Sequence, residues 1–399
     1  MRIRSAFRMA MVTAGICTGI AVASAAAETP QKLALEIRET AGIRRFGYPV
    51  TAVVTLPTGA IRDVRHARLV REDSGEPIPS QMTVSTQHPD GSIRDLEIDL
   101  ILSPGPFEST ELRLEFGDSV TAETAKQGLT FAETPDAYQV SAYRIRRDFS
   151  PLVEKVQYGR EYLRGAGIVV QAREGGAEHR LSGARDVTWT VEKQGPLQVR
   201  LRCRGVYPGH SGLADLPFEL VLEFASSKSW IGLTQVIPAT SRRLVELETV
   251  AEFQLSGQLL WDLDPGYWLY GVLEQGDSLT FECSRPEWKC HLARNGRAAE
   301  YAASLPGAPR AHRWGHFQEG RTDGNVVAFG MADCAEEDSL QITLESAGRM
   351  RVRSVPARSA ESIRQSVFLH FIPVPLQHTA QTSPPSMMQP LQTKVLGGR

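Results

Sequence analysis

The sequence predicts an all-β protein, and two observations carry that prediction. Apolar residues recur at every second position in many short segments, which is the period of a half-buried strand. Turn signals such as Pro89-Asp90-Gly91 fall between those segments, and no segment shows a sustained apolar period of 3.6 residues. We therefore expect antiparallel sheets arranged as barrels or sandwiches.

Alternation defines each predicted strand in turn. In residues 196–207, Leu197, Val199, Leu201 and Cys203 face one way, so the polar residues between them face the other. The other strand-like segments are 50–57, 96–102, 111–116, 217–224 and 365–374.

The domain boundary is predicted where this alternation stops, between Gly117 and Thr134. We expect a small first domain at 28–118, a linker at 119–134 and a larger second domain at 135–373. Residues 374–399 are rich in Pro, Gln, Ser and Thr, a composition that predicts a disordered tail.

The amino terminus is typical of a secretory signal peptide over residues 1–27. Three arginines precede an apolar run from Met9 to Val22, and small residues follow up to Ala27. Cleavage after Ala25 or Ala27 fits, and a retained membrane anchor is the alternative. We expect a secreted or periplasmic protein. No other stretch is apolar enough to span a bilayer, so no membrane span is expected after signal removal.

Four cysteines follow the signal, namely Cys203, Cys283, Cys290 and Cys334. An even number in an oxidising compartment suggests disulfides. Cys283 and Cys290 flank a predicted turn at Pro286 and could close a hairpin, but three connectivities remain open. Their spacing does not fit a zinc knuckle.

Composition and missing sequence motifs argue against several classes of function. The formal net charge is −2, without a basic block, which argues against a nucleic-acid partner. The sequence has no Gly-x-Ser-x-Gly elbow, P-loop or dinucleotide fingerprint, so no cofactor is implied.

Three acids, Asp95, Glu97 and Asp99, alternate along one predicted strand. Successive side chains on one strand face are about 6.6 Å apart, so the three do not converge on one calcium ion. The preferred interpretation is a solvated strand face, and a metal site is the alternative.

Two segments could contact a sugar. On a strand, His312, Trp314 and His316 would share a face, where the indole can stack on a sugar ring and the histidines can bond or transfer protons. The two histidines would lie about 13 Å apart, too far for one zinc. The alternative is a half-buried aromatic flanked by surface histidines.

The second segment is 259–272, where four aromatic residues surround Asp262 and Asp264. Two carboxylates on one strand can hardly flank a glycosidic bond from opposite sides, so catalysis by this pair is disfavoured. An aromatic sugar platform and a hairpin with core aromatics both remain open. The aromatic residues are Trp261, Tyr267, Trp268 and Tyr270.

A basic row at Arg200, Arg202 and Arg204 has two interpretations. It could bind uronate carboxylates. Cross-strand ion pairs with Glu219 and Glu223 on the probable partner strand explain it more simply.

Several motifs resemble the exo-rhamnogalacturonan lyase family, also called YetA-like. They are Pro49-Val50, Leu56-Pro57-Thr58-Gly59, Ile78-Pro79-Ser80-Gln81 and Pro89-Asp90-Gly91-Ser92-Ile93-Arg94. The resemblance implies a small RIFT-related barrel followed by a large antiparallel sandwich of the galactose-mutarotase, or supersandwich, type. His88 and Asp95 stand where the family has tryptophans.

The family's carboxy-terminal α/α-toroid, which carries much of its cleft, has no counterpart before Arg399. We therefore expect a carbohydrate-binding protein rather than an enzyme, with no catalytic residue assigned. A polysaccharide lyase or glycoside hydrolase acting on acidic glycans is one alternative. A structural or interaction module of the cell envelope is the other.

Overall fold

The all-β prediction is confirmed by the computed structural model. The described part of the chain is built of strands, with two short 3₁₀ helices at Val64–His66 and Leu181–Gly183. Within that part, no helix is long and apolar enough to cross a membrane. The predicted signal peptide lies outside it. The structure describes residues 29–154, 163–174, 176–209, 214–238, 245–263, 269–284, 287–303, 314–320, 324–332, 339–355, 362–372 and 389–397.

The first domain is built from seven described strands and one further strand from the end of the chain. The seven are β1 (Gln31–Arg38), β2 (Tyr48–Thr55), β3 (Ala67–Arg71), β4 (Pro77–Ile78), β5 (Gln81–Gln87), β6 (Ile93–Leu102) and β7 (Ser109–Phe116).

Two sheets of the first domain enclose one core. Strands β2, β6 and β5 form one sheet, and β1, β7, β3 and β4 lie side by side in the other. Alternate residues such as Leu96 and Ile98 on β6 and Leu112 and Leu114 on β7 point inward. This two-sheet arrangement around a single core is what the barrel-like prediction requires.

The second domain contains the next twenty described strands. They are β8 (Phe131–Glu133), β9 (Ala137–Val140), β10 (Tyr143–Arg146), β11 (Leu163–Glu174), β12 (Ala177–Arg180), β13 (Arg185–Gln194), β14 (Gln198–Tyr207), β15 (Leu216–Ala225), β16 (Trp230–Pro238), β17 (Val245–Phe253), β18 (Leu259–Leu263), β19 (Leu269–Leu273), β20 (Ser278–Ser284), β21 (Glu287–Arg294), β22 (Arg297–Ala303), β23 (Trp314–Glu319), β24 (Val326–Ala332), β25 (Ser339–Glu345), β26 (Arg349–Val355) and β27 (Ser362–Ile372).

Two large antiparallel sheets pack face to face to form the sandwich. In the described chain, one sheet has the order β13-β14-β15-β16-β27-β24-β23-β18-β19, and the other has β12-β11-β17-β26-β25-β20-β21-β22. Residues such as Leu222 and Phe371 of the first sheet and Val352 and Phe281 of the second share one buried cluster. The outer faces of both sheets are therefore left for polar residues or for other contacts.

The end of the chain corrects one prediction. Residues 389–397 were expected to belong to a disordered tail, but β28 (Gln392–Gly397) pairs with β1 at the edge of the first domain. Leu391 is buried in that domain's core, and the buried Arg45 donates to the carbonyl oxygen of Gln389 at 2.7 Å. Backbone pairing and one apolar anchor thus order a segment whose composition is polar. Residues 374–388 of the predicted tail lie outside the described chain.

Gln81 ties the two domains together. Its Oε1 accepts hydrogen bonds from the backbone N–H groups of Leu197 and Gln198, both at 2.9 Å, and its Nε2 donates to the carbonyl of Gln198 at 2.9 Å. Gly195 is required beside it, because a Cβ there would lie 2.3 Å from Cδ of Gln81. The side-chain amide thereby hydrogen-bonds to the backbone after the β13–β14 turn as a neighbouring strand would.

The acidic ladder on β6 lies in this joint, so the predicted solvated face is wrong for two of its three residues. Nζ of the buried Lys193 is 2.6 Å from Glu97 and 2.9 Å from Asp99. Thr51 also donates to Asp99 at 2.6 Å. Only Asp95 retains a partly exposed position outside this cluster. The period of the strand was correct, but the second domain covers the face that was assigned to water.

Cys283 and Cys290 do not form the disulfide considered for this hairpin. Their thiols are free and buried, and so is the thiol of Cys203. In the β20–β21 hairpin, Cys283 pairs with Trp288 and Cys290 pairs with Phe281, so the two cysteines are not direct cross-strand partners. Burial raises the pKa of Cys203 and of Cys290 to about 12. Cys334 lies outside the described residues.

Candidate functional site

A cleft of about 600 Å³ opens on the outer face of the eight-stranded sheet, over β12, β11, β17 and β26. The loop at residues 149–151 borders it. The cleft is rich in charge, with four arginines and three glutamates among its lining residues. These are Arg173, Arg180, Arg349, Arg351, Glu178, Glu248 and Glu252.

Strand alternation on β26 supplies the basic side of the cleft. Met350 and Val352 point into the sandwich core, so Arg349, Arg351 and Arg353 point outward; we call these three arginines the cleft row. The register with β17 places Glu252 opposite Arg349 and Glu248 opposite Arg353. The acidic and basic side chains of the cleft therefore meet across two paired strands.

Glu248 is the electrostatic centre of the cleft. Its side chain is 1% exposed, and it lies 3.5 Å from Arg351, 3.5 Å from Arg353 and 3.6 Å from Arg173. The side-chain amide of Gln171 also donates to it. One carboxylate thus faces three guanidinium groups. Arg353 also lies 3.7 Å from Glu246, and Arg173 lies 3.6 Å from Glu178.

Three hydrogen-bond donors of the cleft arginines are unpaired within the described part of the chain. The Nε atoms of Arg173, Arg351 and Arg353 are shielded from solvent and have no hydrogen-bond partner among the described residues. Buried donors of this kind usually find an acceptor, and guanidinium groups bind carboxylate, sulfate and phosphate oxygens especially well. The cleft therefore offers unpaired guanidinium donors to an anionic group beside Glu248.

The remaining charged residues of the cleft are engaged with one another. Arg349 donates to Glu252 through Nε at 3.0 Å and Nη2 at 2.5 Å, and this hydrogen bond raises the pKa of the guanidinium. Arg180 donates to Glu178 at 2.5 Å. These pairs define the edges of the cleft, and the unpaired Nε donors lie between them.

The tryptophans predicted to contact sugar are buried. Trp261 is 2% exposed and belongs to the sandwich core, where it packs edge-on against Tyr301. Trp314 is 6% exposed. Neither indole offers a free ring face, so the alternative interpretation of Trp261 as a core aromatic describes it better. Trp268 and His312 lie outside the described residues, together with Tyr267 and Asp264.

The register does bring three of the predicted residues together. His316 pairs with Asp262, and Asp262 pairs with Tyr270, so the three side chains share the outer face of the nine-stranded sheet. Tyr270 is 71% exposed. Burial lowers the pKa of His316 to about 4, which keeps the imidazole neutral near pH 7.

The cross-strand interpretation of the first basic row is confirmed. Arg200 pairs with Glu223 at 2.8 Å and Arg204 with Glu219 at 2.9 Å, while Arg202 contacts both Glu192 and Glu219. We call Arg200, Arg202 and Arg204 the joint row, because Arg200 also reaches Glu97 of the first domain at 3.5 Å.

Sequence reasoning missed the cleft row, although its signal was present. The segment Arg349-Met350-Arg351-Val352-Arg353 has the same alternation as the joint row. The sequence alone does not show that β26 pairs with β17, a strand that lies about a hundred residues earlier in the chain. In the described residues, no group of three or more His, Cys, Asp or Glu side chains is placed to hold a metal ion.

The fold is similar to that of two solved structures from Enterococcus faecalis. An α-mannosidase from strain V583 aligns over 92% of this chain and 46% of its own, at 9% identity and a TM-score of 0.59. A protein in glycosyl hydrolase family 38 aligns over 92% of this chain and 47% of its own, at 8% identity and a TM-score of 0.55. At these identities the likeness shows the fold alone.

The chain thus spans about half the length of the solved structures it matches. No known protein family and no curated protein matches the sequence. The resemblance to the exo-rhamnogalacturonan lyase family gains no support from these comparisons.

Proposed function

We propose that this protein binds a carbohydrate bearing acidic groups in the arginine-lined cleft, and that it does so without cleaving it. The observation that carries the proposal is the single buried carboxylate of Glu248 facing Arg173, Arg351 and Arg353. A uronate or sulfate group there would accept hydrogen bonds from the Nε donors that have no partner among the described residues.

A glycan suits this cleft better than a compact anion does. The volume of about 600 Å³ is within the range of pockets for drug-sized ligands, and the lining mixes charged groups with the hydroxyls of Ser150 and Ser182. The α-mannosidase and the glycosyl hydrolase family 38 protein that share the fold support a carbohydrate ligand.

The arrangement of carboxylates supports binding rather than cleavage. Glycosidic cleavage by a carboxylate pair needs one carboxyl group that holds a proton. In the cleft, Glu178, Glu248 and Glu252 each lie beside an arginine, so each carboxylate already has a partner within the protein. A site of action outside the cytoplasm, either periplasmic or secreted, is part of the proposal, and the amino-terminal pattern up to Ala27 supports it.

The test compares acidic with neutral polysaccharides. Polygalacturonate should bind the full chain, as measured by affinity electrophoresis or calorimetry, and galactomannan should bind weakly. Affinity should fall as salt rises, because the contact is charge-assisted. Arg351→Met should weaken polygalacturonate binding about tenfold or more, since it removes one charge-assisted contact.

Arg202→Met in the joint row is the matched control and should leave affinity unchanged. Equal binding of the two polysaccharides, or equal loss in the two variants, would contradict the proposal. Appearance of the ultraviolet absorbance of an unsaturated uronide would instead favour the lyase alternative.

A further inference from the structure

A second pocket lies between the two domains, close to the joint row. It has a volume of about 150 Å³ and draws residues from β2 and β6 of the first domain and from β14, β15, β16 and β27 of the second. Such interdomain clefts are preferred places for small-molecule sites. The residues that matter for its chemistry are Thr51, Asp99, Gln198, Glu223, Trp230 and Phe368.

One side of this pocket is aromatic. Trp230 and Phe368 lie on the outer face of the nine-stranded sheet, next to each other in an apolar cluster. Trp230 is fixed in place by edge-on contacts with Tyr48 at 5.5 Å and with His370 at 5.7 Å between ring centroids. A ring held on two sides in this way can present an apolar surface to a ligand without losing side-chain freedom on binding.

The other side is polar, and part of its hydrogen-bonding capacity is engaged. Asp99 accepts from Thr51 and from Lys193, and Oε1 of Gln198 accepts from Lys193 at 2.8 Å. Oε1 of Glu223 accepts from Arg200 at 2.8 Å. The joint therefore fixes the positions of these side chains before any ligand arrives.

Nε1 of Trp230 is shielded from solvent and has no hydrogen-bond partner among the described residues. Oε1 of Gln198 and Oε1 of Glu223 are engaged, so Nε2 of Gln198 and Oε2 of Glu223 are the atoms that a ligand would meet. A ligand with several hydroxyl groups can pair with donors and acceptors together, because each hydroxyl does both. A ligand with only an apolar ring would leave the indole N–H of Trp230 unpaired.

We propose that this interdomain pocket binds a single neutral pyranose ring. A cavity of about 150 Å³ is large enough to hold a six-membered ring. The C–H face of the sugar would lie on Trp230 and Phe368, and its hydroxyls would meet Gln198 and Glu223. Because Glu223 and Asp99 both line the pocket, an acidic sugar is disfavoured.

This site is separate from the arginine-lined cleft and has the opposite charge preference. The full-length protein is titrated by calorimetry or ligand-observed magnetic resonance with galactose, mannose, glucose, rhamnose and galacturonate. At least one neutral sugar should bind with a Kd of about 1 mM, and galacturonate should not compete with it. Trp230→Phe, which keeps an aromatic ring but removes the donor, should weaken binding about fivefold to tenfold.

Trp189→Phe is the matched control, because Nε1 of Trp189 is also buried without a partner but lies away from the pocket on β13. It should not change the affinity for the neutral sugar. Ala225→Leu, which fills the pocket, should abolish binding while thermal melting confirms the fold.

Three outcomes would overturn the inference. They are no response to any neutral sugar, binding of benzene or indole in place of sugars, and a loss of sugar binding in Arg351→Met instead of Trp230→Phe. The last outcome would assign the sugar to the cleft, so failure here is distinguishable from failure of the proposed function.

Discussion

The joint row and the cleft row have the same sequence pattern, but their arginines are paired with glutamates to different extents. Each arginine of the joint row is hydrogen-bonded to a glutamate on a neighbouring strand. In the cleft row, Arg349 is hydrogen-bonded to Glu252, whereas Arg351 and Arg353 contact Glu248 at 3.5 Å and Arg353 lies 3.7 Å from Glu246. The difference lies in the distances, because Arg200 and Arg204 of the joint row contact their glutamates at 2.8 and 2.9 Å.

This comparison teaches that an alternating arginine pattern defines a strand but not a binding site. A basic row becomes available to a ligand when its neighbours leave charge uncompensated. In the joint row the arginines hold two strands and two domains together, and in the cleft row the Nε atoms of Arg351 and Arg353 have no hydrogen-bond partner among the described residues. The experiments below separate the two roles.

The largest effect is expected at the joint. Lys193→Met would leave Asp99 and Glu97 without their buried cation, which should lower the free energy of unfolding by about 3–5 kcal/mol. Urea unfolding measures this loss. Lys289→Met, on an exposed position of β21, is the control and should change stability little. A loss below about 1 kcal/mol in Lys193→Met would show that the joint does not depend on this ion cluster.

The buried His370 should contribute to acid sensitivity, whereas the arginines of both rows stay charged at any relevant pH. Burial, with a contribution from Lys228, lowers the pKa of His370 to about 3. Below about pH 6.5 the unfolded chain binds a proton there and the folded chain does not, so stability falls as the pH falls toward 3.

Between pH 7 and pH 5 the contribution of His370 is about 2 kcal/mol. His370→Asn should therefore show a smaller loss of stability over this range than the wild type, as measured by urea unfolding at both pH values. His291→Asn, on β21, is the control and should keep the wild-type dependence. An unchanged pH dependence in His370→Asn would contradict the expectation.

Glu248→Gln tests the cleft row directly. It should cost about 1–3 kcal/mol of stability, because a buried carboxylate that lies beside three arginines loses its charge. It should also strengthen binding of polygalacturonate, since the guanidinium groups lose their internal counter-ion. Glu223→Gln in the joint should give no such gain. A gain in both variants would indicate a nonspecific charge effect.

The smallest effect is expected at the exposed end of the joint row. Arg204 is 68% exposed, so Arg204→Ala should lower the free energy of unfolding by less than about 0.5 kcal/mol. Arg200→Ala, which removes contacts with Glu223 and Glu97, should cost about 1 kcal/mol. Equal losses of stability in the two variants would mean that the contact of Arg200 with Glu97 of the first domain adds no stability.

Much of the fold could be predicted because strand alternation is a local property. Leu201, Cys203 and Leu222 were placed on inward faces by their spacing alone, and they lie in the sandwich core. The pairing of the joint row with Glu219 and Glu223 was also accessible, because the two strands are adjacent in sequence.

The rest depended on long-range contacts. The polar face of β6 was assigned to solvent because alternation cannot show that a second domain covers Asp99. The cleft could not be predicted because Glu248 and Arg353 are brought together by strands far apart in the chain. Cys283 and Cys290 have suitable spacing for a bridged hairpin, but the register pairs each with an aromatic residue instead.

The return of β28 to the first domain gives the molecule a second chain crossing. Residues 117–130 connect β7 to β8, and the chain passes between the domains again from β27 to β28. A single proteolytic cut between β7 and β8 would therefore leave β28 covalently attached to the sandwich and paired with β1 of the first domain. A denaturing gel would show two fragments after that cut, whereas size-exclusion chromatography under native conditions would show one species.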